Sequence, residues 1–145
     1  MQDKKIRSAR VVDLGAICSL LYQLSPSQEK DKKELLEKII MEICKDPSYS
    51  FVVYEEEGLL LGTATLFVQK NLSHNGRPVG HIENVVTDSA MRGKGIGKSL
   101  VEYLVSFAEK LDCYKVILNC SEENILFYEK CGFRKTGELE MRRDL

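Results

Sequence analysis

Arg92-Gly93-Lys94-Gly95-Ile96-Gly97-Lys98 sets three glycines at every second position, immediately before an apolar periodicity of Ile96, Leu100, Leu104, Phe107, Ala108 and Leu111. That periodicity is an amphipathic helix, the longest in the chain. Glycines ahead of a helix let the backbone approach a ligand closely, with several N–H groups and the positive helix end pointing outward. One such glycine alone would read as a tight turn; three, with Arg92, Lys94 and Lys98, read as a phosphate-binding loop. A strand near Gly80 to Val86 and a turn at Thr87 to Met91 lead into the loop, and a strand at Lys115 to Leu118 follows the helix. Strand, glycine loop, helix, strand is the central unit of the fold.

Outward from this unit the periodicity keeps switching between helix and strand. A short strand at Ile6 to Ala9 precedes helical spacings at Leu14, Ile17, Leu20, Leu21 and Leu24, then at Leu35, Leu36, Ile39, Ile40 and Ile43. Ser50 to Tyr54 and Leu59 to Val68 are rich in β-branched and aromatic residues, and Glu56-Glu57-Gly58 has the length and the glycine of a hairpin loop. Asn71 to Pro78 is a polar loop, a short helix spans Ile125 to Lys130, and a last strand is expected near Lys135 to Arg142. No repeat, low-complexity tract or linker divides the 145 residues, so one α/β (α+β) domain over residues 1–145 is expected.

Composition narrows the function. The chain is 43% apolar, and 21 basic against 22 acidic residues leave a net charge of -1, which excludes a chain-wide electrostatic footprint for nucleic acid or anionic membrane. The longest apolar runs, such as Leu59 to Leu61, are far short of a membrane span, and Met1-Gln2-Asp3-Lys4-Lys5 is not followed by the apolar core of a secretory signal. Cys18, Cys44, Cys113, Cys120 and Cys131 form an odd, scattered set that reads as reduced thiols, and neither His74 nor His81 has the spacing of a zinc ligand, so no metal is expected. The cytosol is the expected compartment; a peroxisome-like organelle stays open, although the chain does not end in Ser-Lys-Leu.

Three anion-binding patterns compete for the glycine loop. A P-loop needs glycine where Arg92 stands, despite Gly97-Lys98-Ser99; the dinucleotide pattern needs it at Lys98 or Leu100. Arg/Gln-x-x-Gly-x-Gly/Ala fits Arg92, Gly95 and Gly97 without exception. In that pattern, and in Asn124 and Tyr128 of Asn124-Ile125-Leu126-Phe127-Tyr128, the chain resembles the GNAT N-acetyltransferases from its first helix to its last strand. The resemblance implies a bent mixed sheet flanked by helices, acetyl-CoA as cosubstrate and a homodimer in which the last strand of one chain completes its partner's site. It assigns acetyl-CoA to Val85, Val86, Thr87, Arg92, Gly93, Lys94, Gly95, Ile96, Gly97, Lys98, Asn119, Asn124 and Tyr128.

His81-Ile82-Glu83-Asn84-Val85-Val86 and Cys113-Tyr114-Lys115-Val116-Ile117-Leu118-Asn119-Cys120 are similar to the glucosamine-6-phosphate N-acetyltransferase branch of that family. This likeness implies a sugar-phosphate acceptor held by Ser25, Asn71, Leu72, Ser73, His74, Glu83, Asn84, Val85, Tyr114, Lys115 and Arg143, with Arg142 as an alternative to Arg143. Tyr128 is the expected donor to the departing sulfur, its other reading being a core aromatic beside Phe127; Asn124 is expected to cap a helix as well as bind. Relatives commonly carry acidic residues at Asn84 and Asn119. An amide takes no proton at neutral pH, so Asn119 can orient the amine but not deprotonate it, and water relayed by Glu83 or strand carbonyls becomes the expected acceptor. Two rival readings remain: a GNAT enzyme acting on a protein or polyamine, and an acetyl-CoA sensor without catalysis.

Overall fold

A computed structural model describes residues 4–26 and 32–145; Met1-Gln2-Asp3, on which the reading of the N-terminus rests, lies outside the described residues. Five strands form one sheet in the order β1 (Ile6–Ser8), β2 (Tyr49–Glu56), β3 (Leu59–Gln69), β4 (Val79–Thr87), β5 (Lys115–Ile117). The first four are antiparallel neighbours, whereas β5 runs parallel to β4. A parallel neighbour requires a long crossover, and the helix after the glycine loop supplies it. Between β2 and β3, Glu57 (φ 51°) and Gly58 (φ 78°) are both left-handed, as a two-residue hairpin turn in a twisted sheet demands.

Alternation along β2 distributes side chains to two faces. Val52 and Tyr54 join Ala64, Leu66 and Ile82 beneath Leu100, Val101, Leu104 and Ala108 of α3 (Ile96–Lys110). Val53 points the other way, into a cluster with Ala9, Ile17 of α1 (Leu14–Leu24) and Ile40 of α2 (Lys33–Lys45). Helix α3 lies so close to β3 that a Cβ on Gly62 would meet Ile96 Cγ2 and Leu100 Cδ1 at 3.0 Å. The start of α1 is tied to β1 by Arg7, which donates to Asp13 Oδ2 at 2.8 Å and Oδ1 at 3.0 Å, while Arg10 N–H donates to Oδ2 at 2.7 Å.

The second amphipathic helix forms as expected, and one expectation is corrected. In α2 the inward face is Leu36, Ile40 and Ile43, whereas Leu35 and Ile39 are exposed. The expected strand near Lys135 to Arg142 is absent: residues 133–145 contain no helix or strand, and Leu139 and Met141 are exposed. A strand exists only against another strand's backbone, and this segment pairs with none of the five strands. The short α4 (Ile125–Lys130) has the expected bounds.

Candidate active site

Thr63 of β3 faces Val86 and Thr65 faces Glu83, so Asn84 and Val85 of β4 together oppose the single residue Ala64. This is a β-bulge, and Asn84 takes it up with φ 52°, a conformation asparagine tolerates better than most residues. On its other side β4 pairs with β5 only through Val79, Gly80 and His81. Beyond His81 the β5-facing edge of β4 has no strand beside it among the described residues. Glu83 and Asn84 are exposed there, Val85 and Thr87 are half-buried, and Val86 is buried. An extended ligand carrying amides can lie along such an edge as an added strand would.

That edge leads to the glycine loop. Gly93 (φ 78°) and Gly95 (φ 83°) are left-handed, and a Cβ on either would meet nothing within 4 Å, so backbone conformation rather than crowding calls for glycine. Gly95 is the N-cap of α3 and offers no side-chain cap. Ser99 N–H bonds Gly95 O at 3.0 Å, which leaves the N–H groups of Ile96, Gly97 and Lys98 without intrahelical partners. Arg92, Lys94 and Lys98 are exposed around them; Lys98 lies 3.7 Å from Glu102, Lys94 reaches Met91 Sδ at 3.8 Å, and Arg92 has no partner among the described residues. Uncapped N–H groups and the positive end of the helix dipole, with an unpaired arginine three residues before the N-cap, are features suited to a phosphate.

Helix α4 closes the third side. A Cβ on Gly97 would lie 3.1 Å from Phe127 Cζ and 3.3 Å from Thr87 Oγ1, so the first turn of α3, the end of β4 and α4 meet at this glycine. Tyr128 packs edge-on against Phe127 and Phe133, at ring separations of 4.9 and 6.0 Å. Burial, with smaller contributions from the Cys120 and Cys131 thiols, pushes its pKa up to about 12. The hydroxyl has no hydrogen bond among the described residues and is not sealed from solvent. Burial likewise pushes the Cys131 thiol up, which makes it a packing group rather than a nucleophile. Asn124 occupies the N-cap position of α4 but makes no side-chain cap; its amide donates to Ser121 Oγ at 3.2 Å, correcting the expected capping role.

The polar loop lies against the start of β5. Arg77 donates to the carbonyls of Asp112 and Cys113, both at 3.3 Å, and Tyr114 N–H donates to Pro78 O at 3.1 Å. His74, left-handed at φ 52°, stacks on Tyr114 with centroids 3.9 Å apart, and Lys115 Nζ lies 5.4 Å from the same ring. His74, Tyr114 and Lys115 are therefore brought together. The Asn71 amide is committed to the loop itself, donating to Ser73 Oγ at 2.8 Å, Ser73 O and Arg77 O. Leu72 is fully exposed, Ser73 is exposed, and Asn119 is exposed just past the end of β5. Ser25 terminates α1, exposed, with its N–H on Leu21 O. Arg143 is exposed and without a partner among the described residues, while Arg142 pairs with Asp144 at 2.7 Å.

Sequence reading missed Gln23, whose side chain links α1 to Asp88 and Ser89, and Arg77, which clamps the polar loop. Neither carries a local signal, because each acts across a large sequence separation. Among the described residues no group of three or more His, Cys, Asp or Glu is placed to hold a metal, and no helix is long and apolar enough to cross a membrane. None of the five cysteines is in a disulfide.

The family model described as Acetyltransferase (GNAT) family matches residues 16–133. The glucosamine 6-phosphate N-acetyltransferase of Trypanosoma brucei brucei is 36% identical over 143 residues, covering 99% of this chain and 97% of that one. With its namesake in Candida albicans the aligned stretch is shorter, 45% identical over 93 residues, 64% of this chain and 62% of the other. The crystal structure of glucosamine-6-phosphate N-acetyltransferase from Arabidopsis thaliana matches with a TM-score of 0.88 and 37% identity, covering 97% of each chain.

Proposed function

This chain belongs to the acetyltransferase (GNAT) family, and from that membership we propose that it transfers the acetyl group of acetyl-CoA to the 2-amino group of D-glucosamine 6-phosphate, yielding N-acetylglucosamine 6-phosphate and CoA. The observation that carries the reading is the open edge of β4 leading to the uncapped N-terminus of α3, in a chain similar along its length to proteins of that name. Acetyl-CoA, a substrate, supplies the thioester and a pyrophosphate. The N–H groups of residues 93–98 with Arg92 hold the pyrophosphate, and the backbone of Val85, Val86 and Thr87 holds the arm and polarises the carbonyl.

Tyr128 donates a hydrogen bond to the departing sulfur. With a pKa of about 12 against about 8.5 for an ordinary thiol, outright proton transfer would be uphill by roughly 5 kcal/mol. Tyr128 thus stabilises the thiolate, which takes its proton from the acylated amine. Asn119 orients that amine through its carbonyl, and water beside Glu83 accepts the amine proton at the start, so Glu83→Gln lowers turnover; a normal rate would remove Glu83 from the mechanism. Ser25, His74 and Tyr114 face the sugar, while Lys115 and Arg143 hold its phosphate.

A homodimer completes the site. Leu139 and Met141, 86% and 92% exposed beside Arg143, gain a strand neighbour when a second copy is present. Cysteines without disulfides suit a cytosolic setting. The test is thiol release from acetyl-CoA with glucosamine 6-phosphate, alongside glucosamine, glucose 6-phosphate, spermidine and a lysine peptide, with sedimentation for the dimer. Rapid release only with glucosamine 6-phosphate is expected; release only with another amine overturns the acceptor, and a monomer with full activity overturns the shared site.

A further inference from the structure

We propose that Gln23 is a positioning residue that clasps the end of α1 to the start of the glycine loop and so keeps the acceptor side of the cleft in register with the acetyl-donor side. The inference rests on the reading above, in which Ser25 faces the sugar and residues 92–98 hold acetyl-CoA. Gln23 lies in the last turn of α1, just before Ser25. Its side-chain carbonyl accepts Ser89 N–H at 2.9 Å, and its amide donates to Asp88 Oδ2 at 3.2 Å. Asp88 Oδ1 accepts Ala90 N–H at 2.9 Å, capping the short turn Ser89–Met91 that launches Arg92. Both polar ends of one glutamine are therefore engaged by the segment that delivers the loop.

The two sides of the clasp are unequally held without it. The turn retains its Asp88 cap and the bond from Asp88 N–H to Leu61 O at 2.8 Å. The end of α1 has weaker support: Ile17 and Leu20 are its buried anchors, whereas Tyr22 and Leu24 are 58% and 47% exposed. Losing Gln23 consequently frees Ser25 more than it frees Arg92. Two hydrogen bonds, one to a carboxylate, correspond to about a tenfold effect at an exposed site.

For Gln23→Ala the expected result is an acceptor KM raised about tenfold, with kcat and the acetyl-CoA Kd changed by no more than about twofold. Gln23→Glu alone sets two carboxylates against each other and is worse. Gln23→Glu with Asp88→Asn inverts donor and acceptor across the pair while still accepting Ser89 N–H and Ala90 N–H, so it restores the acceptor KM. A residue that only filled space would not be rescued by that inversion. Hydrogen exchange across residues 19–26, read in the same variants, accelerates in Gln23→Ala and returns in the double variant. An unchanged acceptor KM, an acetyl-CoA Kd that rises in parallel, or absence of rescue overturns the clasp. A wild type inactive on glucosamine 6-phosphate overturns the acceptor reading instead, and the exchange rates then judge the clasp by themselves.

Discussion

Tyr128→Phe removes a single hydroxyl, and the surroundings of that hydroxyl isolate its role. The ring is held edge-on between Phe127 and Phe133, while the oxygen has no hydrogen bond among the described residues. Phe keeps all of that packing, so stability near pH 7 should change by no more than about 0.5 kcal/mol. On the proposal that the hydroxyl donates to the departing sulfur, the loss falls on the reaction, as negative charge builds. A hydrogen bond to a charged group is worth about 1.5–3 kcal/mol, so kcat should fall about 10- to 150-fold. Because the bond strengthens only as the thiolate forms, KM for acetyl-CoA should stay unchanged. Thiol release at saturating concentrations of both substrates measures this directly. The pH dependence follows from the pKa of about 12: the phenol stays neutral up to pH 10, so wild-type kcat shows no tyrosine limb between pH 7 and 10. Unfolded tyrosine ionises near 10, so the folded state carries no penalty below pH 10 and a growing one towards 12. Wild type should therefore lose stability faster than Tyr128→Phe across that window. A kcat within twofold of wild type, or a basic limb between pH 7 and 10 that disappears in the variant, would refute the assignment.

The glycine loop and the part-buried Arg7–Asp13 ion pair yield further expectations. Gly95→Ala has room for its methyl group but must hold φ at 83°, which costs about 1–2 kcal/mol; acetyl-CoA affinity measured by calorimetry should drop up to about 30-fold. Gly95→Asn, in a residue type that tolerates this region, should bind better than Gly95→Ala, and equal affinities would mean that backbone conformation is not the reason for glycine. Asp13→Ala leaves Arg7 without its bidentate partner and should cost about 2–4 kcal/mol in urea unfolding. Hydrogen bonds from Arg7 first, and then from Arg10 N–H, hold the Asp13 carboxyl below its ordinary value against burial. Its contribution is thus complete above about pH 3.9, the unfolded value, and is lost as pH falls through the lower folded value, so the two proteins should converge in acid. A gap that persists there would exclude the ion pair as its source.

Much of the molecule is written in short-range pattern. The glycine loop is legible because its geometry is contiguous: left-handed glycines, free N–H groups and a helix start all lie within residues 92–98. The hairpin at Glu57-Gly58 and the bounds of α4 are legible for the same reason, since turn chemistry and helical periodicity act over a few residues. Other features depend on which surfaces meet. The inward face of α2 could not be told from Leu35 and Ile39, because apolar periodicity marks a wide stripe and only packing selects the part that is buried. Asn84 becomes a bulge through the register of β4 on Ala64 of β3, which shifts by one residue without changing either strand's composition. Gly62 is required by the approach of α3, and Gln23 finds Asp88 and Ser89 across the width of the fold.

The sequence by itself therefore determined most of the elements, the glycine loop ahead of α3 and the family, because those follow from interactions between near neighbours along the chain. Only the tertiary structure decided that β4 parts from β5 after His81, that Tyr128 sits half-buried with its pKa pushed up to about 12, and that the tail after Phe133 is without a strand partner. Pairing edges, desolvation and cross-fold hydrogen bonds are properties of what surrounds a residue, and a linear pattern carries no record of those surroundings.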